Sequence, residues 1–252
     1  MSIPDPRNAP LETGVYYHIY NRGNGGENVF REPRNYDYFF VKYAEHLEPY
    51  VELCAYCLLK NHFHLLVQIK DVTDVTGLQR PVTSGKTRDA AQAFSNWFNA
   101  YAKGYNKTYA RYGSLWQRPF RRIPILTESY LFNVVRYIHR NPQKHGFVKD
   151  FRDWEYSSYH LFTDVTGFRK PVTSGQPVTS GQPVTSGQPV TSGQPVTSGQ
   201  PVTSGQPVTS GQPVTSVSKV VEWFGGVKPF VDFHLDARDD RAIQGIIGED
   251  PD

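Results

Sequence analysis

Short apolar runs bounded by turn residues alternate with longer stretches of helical period along the first 160 positions. Val15-Tyr16-Tyr17-His18-Ile19-Tyr20 reads as a strand, closed by Asn21-Arg22-Gly23 and Asn24-Gly25-Gly26. From about Tyr36 to Leu47, Phe39, Phe40 and Tyr43 share one helical face. Two strands follow, over 51–59 and 62–69, joined tightly at Lys60-Asn61. A long helix over about 90–105 carries Phe94, Phe98 and Tyr101 at helical spacing. The stretch 118–126 is strand-like, and Thr127 is the predicted N-cap of a last helix. The sequence Asn141-Pro142 is expected to end that helix, because a residue before proline avoids the helical region. Strand, helix, strand, strand, helix, strand is the order of a ferredoxin-like α+β sheet with helices on one face, here followed by a further helix.

Composition narrows the picture. The chain has 252 residues, 14% aromatic, with a formal net charge of +3. Between Lys86 and Arg122 it carries eight lysines and arginines against one acid, Asp89, so the rest is net acidic. A concentrated basic segment in a nearly neutral protein points to a polyanionic partner. There is no apolar leader and no bilayer-length apolar run, so a cytoplasmic, nucleoid-associated protein is expected. The two cysteines, Cys54 and Cys57, have no second Cys-x-x-Cys pair to complete a zinc ribbon. On a regular strand they would face opposite ways, and both are read as buried core thiols.

Seven copies of Pro-Val-Thr-Ser-Gly-Gln fill residues 171–212, and an incomplete copy ends at Ser216. With one valine per unit, the tract cannot bury enough apolar area to offset its ordering entropy, so disorder is expected. Residues 74–86 recur almost unchanged as 164–176. Two distant loops with the same text suggest a repeated DNA element inserted where the fold tolerates it. The organisation expected is a catalytic domain over 1–163, a repeat insertion over 164–216 and a C-terminal element over 217–252.

The candidate chemistry lies in Asn61-His62-Phe63-His64-Leu65-Leu66-Val67. On a strand, His62 and His64 project side by side while Phe63 turns into the core. Two parallel imidazoles can share a divalent cation, although a His-x-His strand taken alone is more often a packed or surface pair. A second motif, Tyr137-Ile138-His139-Arg140-Asn141-Pro142, could supply a tyrosine nucleophile. Tyr130, one heptad earlier, is its nearest rival.

Residues 55–64, Leu115-Trp116-Gln117-Arg118-Pro119-Phe120 and 137–146 together resemble the single-tyrosine HUH transposases. Within these the chain is most similar to the REP-associated tyrosine transposases, which act on repeated extragenic palindromes. The likeness runs from about Tyr16 to Tyr159 and resumes at 221–226. It implies His62 and His64 as metal ligands, Tyr137 as the nucleophile, and Asn141, one turn later on the same face, as the polar ligand. It also implies Mg²⁺ or Mn²⁺ as the cofactor, a 5′-phosphotyrosine intermediate, and hairpin-forming single-stranded DNA as the partner. Monomer and homodimer both stay open, and no residue stands out as the general base. His139 and His145 are read as phosphate contacts or surface residues. A non-catalytic DNA-binding relic is the alternative, against which His62, His64, Tyr137 and Asn141 are all present.

The basic segment interleaves Trp97, Tyr101, Tyr105, Tyr109, Tyr112 and Trp116 with cations. Lys103, Lys107, Arg111, Arg118, Arg121 and Arg122 are the expected DNA contacts, the aromatic faces serving unpaired bases. Half or more of these aromatics are equally expected to be core. Arg121 and Arg122, adjacent on a strand, should face opposite ways.

Overall fold

In a computed structural model, residues 9–71, 86–163 and 216–236 are described; side chains of 86–89 are not. Residues 1–8, 72–85, 164–215 and 237–252 lie outside them, and with them all of the repeat insertion but Ser216 and both copies of its flanking text but Lys86. The elements are β1 (Tyr16–Arg22), α1 (Pro33–His46), β2 (Val51–Leu58), β3 (His62–Ile69), α2 (Lys86–Thr108), β4 (Arg121–Ile125), α3 (Glu128–Lys144), α4 (Tyr159–Thr163), α5 (Val217–Trp223) and α6 (Val227–Leu235). The four strands form one antiparallel sheet in the order β2-β3-β1-β4, which is the ferredoxin-like order.

Strand alternation divides the core in two. Tyr17, Ile19, Phe63, Leu65 and Val67 meet the aromatic faces of α1 and α2, with Phe39, Phe94 and Trp97. The opposite face carries Leu66, Ile123 and Ile125 and is covered by the further helix, α3, through Leu131, Val134, Val135 and Ile138. Lys60 and Asn61 form the expected two-residue turn, closed by Leu59 N–H donating to His62 O at 2.8 Å. Gly23, just past β1, is required by a close approach: a Cβ there would lie 2.1 Å from the Glu27 carbonyl oxygen.

Local signals set the helix starts. Pro33 opens α1, while Asn35 Oδ1 accepts from the Arg31 and Glu32 backbone N–H groups at 2.8 and 3.3 Å. Thr127 caps α3, its Oγ1 accepting from Tyr130 N–H at 3.3 Å.

Two sequence expectations fail. Helix α3 runs through Asn141-Pro142 to Lys144. Near a C-terminus the proline removes only one hydrogen bond, and His145 N–H still closes onto Asn141 O at 3.0 Å. The cysteines also share a face instead of opposing one another. A register shift between Leu53 and Ala55 inserts Cys54 as an extra residue, so Cys54, Ala55 and Cys57 all join the α3 side of the core. Both thiols are free and buried, as expected.

The segment after the repeats belongs to this same core. Ser216 N–H donates to Leu53 O at 3.0 Å, and Lys219 pairs with Glu52 at 2.6 Å. Phe230 of α6 is fully buried among residues of α3 and α4.

Candidate functional site

The α3 face of the sheet gathers the chemistry. Register places Tyr20 opposite His64 and Arg22 opposite His62, and His18 lies one alternation further along. His18 Nε2 and His64 Nδ1 are 3.0 Å apart, and the two rings stack at 5.1 Å. His62 Nδ1 lies 2.7 Å from Asn61 Oδ1. A carbonyl oxygen only accepts, so that nitrogen carries the proton and the lone pair sits on Nε2. Where His64 donates to His18, its lone pair is likewise on Nε2. These are the contacts that fix an imidazole as a ligand.

Helix α3 lays one stripe of side chains over this pair. The Tyr137 ring meets His64 at 5.6 Å and His18 at 5.9 Å, both edge-on. Two turns later, His145 meets His62 at 5.0 Å. Asn141 falls midway on the same stripe, four residues from each. It is 0% exposed, and neither its Oδ1 nor its Nδ2 has a hydrogen-bond partner among the described residues. An orphaned buried amide costs about 1–3 kcal/mol. No three His, Cys, Asp or Glu gather as a metal-holding group among the described residues. A cation here would therefore take two imidazole nitrogens and the Asn141 amide, and complete its sphere with substrate oxygen. That donor set fits a hard divalent ion.

The Tyr137 ring is buried, but its hydroxyl lies 3.5 Å from Nζ of the exposed Lys144, which also sits 4.9 Å from the ring centre. Tyr130, the rival, is half-buried at the far end of the stripe, and burial pushes its phenol up to about 12. The Tyr20 phenol nearby raises it further.

His139 is neither a phosphate contact nor a surface residue. It is fully buried, with Nδ1 2.8 Å from His234 Nε2 and Nε2 2.8 Å from Ser158 Oγ. His234 Nδ1 donates to Phe230 O at 2.8 Å, so its Nε2 accepts from His139 Nδ1. Desolvation holds both imidazoles well below their usual range. Arg136 and Arg140 add donations to the Asp236 and His234 carbonyls. Residues 134–139 are buried without interruption because α3 is covered by the sheet on one side and by α6 on the other.

The basic segment divides. Lys103, Arg111, Arg118 and Arg122 line one cavity of about 1010 Å³ between α2 and the 111–120 loop. Lys107 lies in a separate hollow with Arg34 and Tyr38. Arg121 and Arg122 do face opposite ways: Arg121 pairs with Tyr20 on the His-pair face, and Arg122 pairs with Ile19 on the other. Arg111 is held by Glu27, which accepts from its Nε at 2.7 Å and its Nη2 at 2.6 Å. Of the interleaved aromatics, Trp97, Tyr101, Tyr105 and Trp116 are core, Tyr109 is half-buried and Tyr112 is exposed.

Sequence reasoning passed over His18, Asn61, Lys144 and His234. His18 had a signal, since it alternates with Tyr16 and Tyr20 on one strand face. Asn61 had one in standing directly before the pair. Lys144 and His234 had none short of the fold.

A ferredoxin-like sheet whose His-hydrophobe-His strand faces a tyrosine-bearing helix defines an HUH-type protein. No family model matches the chain. Over 125 residues it is 33% identical to a Haemophilus influenzae protein named as a REP-associated tyrosine transposase, covering 48% of this chain and 67% of that one. A solved structure, a REP-associated tyrosine transposase bound to a REP hairpin, covers 74% of this chain and all of its own, at 21% identity and a TM-score of 0.45. The chain belongs to the REP-associated tyrosine transposases. No helix among its described residues is long and apolar enough to cross a membrane.

Proposed function

We propose that this chain cleaves and rejoins hairpin-bearing single-stranded DNA, with Tyr137 as nucleophile and a divalent cation, Mg²⁺ or Mn²⁺, held by His62, His64 and Asn141. The observation that carries this reading is the α3 stripe, which sets Tyr137 against His64 and His145 against His62, with the orphaned Asn141 amide between. Bound there, the cation supplies Lewis-acid polarisation of the scissile phosphate. Tyr137 Oη attacks phosphorus, the bond to the 3′ oxygen breaks, the phenolic proton is lost and the 3′ oxygen gains one. The product is a 5′-phosphotyrosine and a free 3′-OH, and reversal onto another 3′-OH rejoins strands without an added energy source. Lys144, an ammonium beside Oη, favours the oxygen as it becomes negative, both in attack and when it leaves again.

Lys103, Lys107, Arg118, Arg121 and Arg122 contact the DNA backbone in this reading. Arg111 contributes through the loop it anchors to Glu27. The action on DNA places the protein at the nucleoid, as monomer or homodimer. The test is denaturing electrophoresis of the protein with labelled hairpin oligonucleotides from its own genomic flanks. A covalent adduct mapped to the Tyr137 peptide is expected. Cleavage without an adduct, or an adduct on Tyr130, overturns the assignment, and binding without cleavage favours a non-catalytic relic.

A further inference from the structure

A large cavity lies away from the His pair, on the other face of the sheet. Its walls are the exposed polar side of α2, including Asn99 and Lys103, the 111–120 loop, and Asn21 and Arg122 at the ends of β1 and β4. We propose that this cavity receives an unpaired nucleobase of the substrate strand, which then passes over the β4 edge to Tyr137. The proposal rests on the function argued above and adds to it where base identity is read.

Four observations carry it. About 1010 Å³ is ample for a nucleotide, since small-ligand sites run from about 300 to 1,000 Å³. Trp116 lines the cavity and is only 4% exposed, yet its indole N–H has no hydrogen-bond partner among the described residues. A buried donor of this kind suits the ring nitrogens and carbonyl oxygens of a base, with the Asn21 and Asn99 amides supplying both donors and acceptors. At the rim, Tyr112 is 92% exposed.

The loop that presents Tyr112 is held rigid from several sides. Asn106 Nδ2 donates to Gly113 O at 3.0 Å, Asn24 Nδ2 donates to Ser114 O at 2.9 Å, and Glu27 grips Arg111. Gly113 takes φ +85°, the left-handed conformation that glycine allows, and turns the chain there. A large aromatic kept in water on a pinned loop is a preorganised stacking face, which binding need not order first. A concave, aromatic-lined site of this kind suits a flat unpaired base better than a duplex.

The fourth observation is the route. In the order β2-β3-β1-β4, β4 is an edge strand. Arg122 lies on its cavity side and Arg121 on its His-pair side, so consecutive phosphates can be held as the strand turns over the edge.

The test uses the full chain in chelator, so that binding is read without cleavage. Hairpin oligonucleotides carry one abasic site at each single-stranded position in turn, and Kd is measured by fluorescence anisotropy. One position should weaken binding about tenfold, the scale of one lost base stack. In Trp116→Phe, which keeps the ring and removes the N–H, and in Tyr112→Ala, an exposed change that leaves the core intact, that same position should lose most of its effect. Equal Kd for every abasic oligonucleotide overturns the proposal, as does a penalty undiminished in both variants. If the wild type still forms the Tyr137 adduct in either case, only the base site falls. If the wild type neither binds nor forms an adduct, the functional reading falls with it.

Discussion

His18 Nε2 lies 3.0 Å from His64 Nδ1, across the β1–β3 pairing, in the layer where α3 covers the sheet. The 2.7 Å contact to Asn61 Oδ1 leaves the His62 lone pair on Nε2, and where His64 donates to His18 its lone pair is on Nε2 as well, the nitrogens the proposed cation would use. Outer partners of metal-ligating histidines are worth about 10–100-fold in affinity. His18→Ala and Asn61→Ala should each weaken Mn²⁺ binding by about that factor, read by electron paramagnetic resonance titration of the free ion. Wild-type affinity in both variants would show that neither residue orients a ligand.

Tyr137→Phe should abolish the covalent adduct while hairpin affinity stays within about twofold, because one buried ring replaces another. Lys144→Met should retain the adduct but slow its formation about tenfold. That matches the loss of one contact to a charged group, worth about 1.5–3 kcal/mol. Single-turnover cleavage at saturating oligonucleotide separates the two, and an unchanged Lys144→Met rate would remove the ammonium from the reaction.

Stability should fall in acid through the α3–α6 contact. Burial lowers the His234 imidazole from 6.5 to about 3, against the backbone bond to Phe230, which raises it. The groups facing it are His139, Arg136 and Arg140 of α3 and Tyr159 of α4. Between pH 3 and 6.5 the unfolded chain binds a proton that the folded one excludes. The contribution is therefore full above about pH 6.5 and is lost as pH drops, by up to about 1.4 kcal/mol per unit. Urea midpoints at pH 7.5 and 5.0 should differ in the wild type and differ less in His234→Gln.

The two thiols should be inert in the folded protein. Burial pushes Cys54 up to about 12 and Cys57 well above its usual value, so neither presents thiolate at neutral pH. A thiol reagent should titrate none in buffer and both in denaturant, and rapid native labelling would contradict the bulge that buries Cys54. Truncating Phe230 to Ala should cost about 3–5 kcal/mol, since the ring is fully enclosed. A melting temperature close to wild type would show that α6 is not seated as described.

Much of the site was legible before any fold was known, for a local reason. Strand alternation is a property of the backbone itself, so His62 and His64 on one face and Phe63 on the other followed from the order of residues. The same holds for Arg121 and Arg122, for the Thr127 cap and for the Lys60-Asn61 turn. The pairing of Tyr137 with Asn141 on one helix face follows from helical period alone, whereas His145 joins that stripe only because the helix continues through Pro142.

Where the chain failed to announce itself, the deciding partner was distant or the regular geometry broke. One inserted residue at Cys54 turned two opposed cysteines to one face, which no period of two anticipates. Pro142 stayed in its helix because the helix ended only two residues later. His139 looked like a surface residue until His234, 95 positions away, closed on it from α6. Trp97 and Tyr112 read alike in one basic segment, yet α1 buries the first and leaves the second in water. The sequence by itself determined which residues share a strand face or a helix stripe, because those follow from backbone geometry over a few residues. Only the tertiary structure decided which of those faces are enclosed, because burial depends on elements that meet from far along the chain.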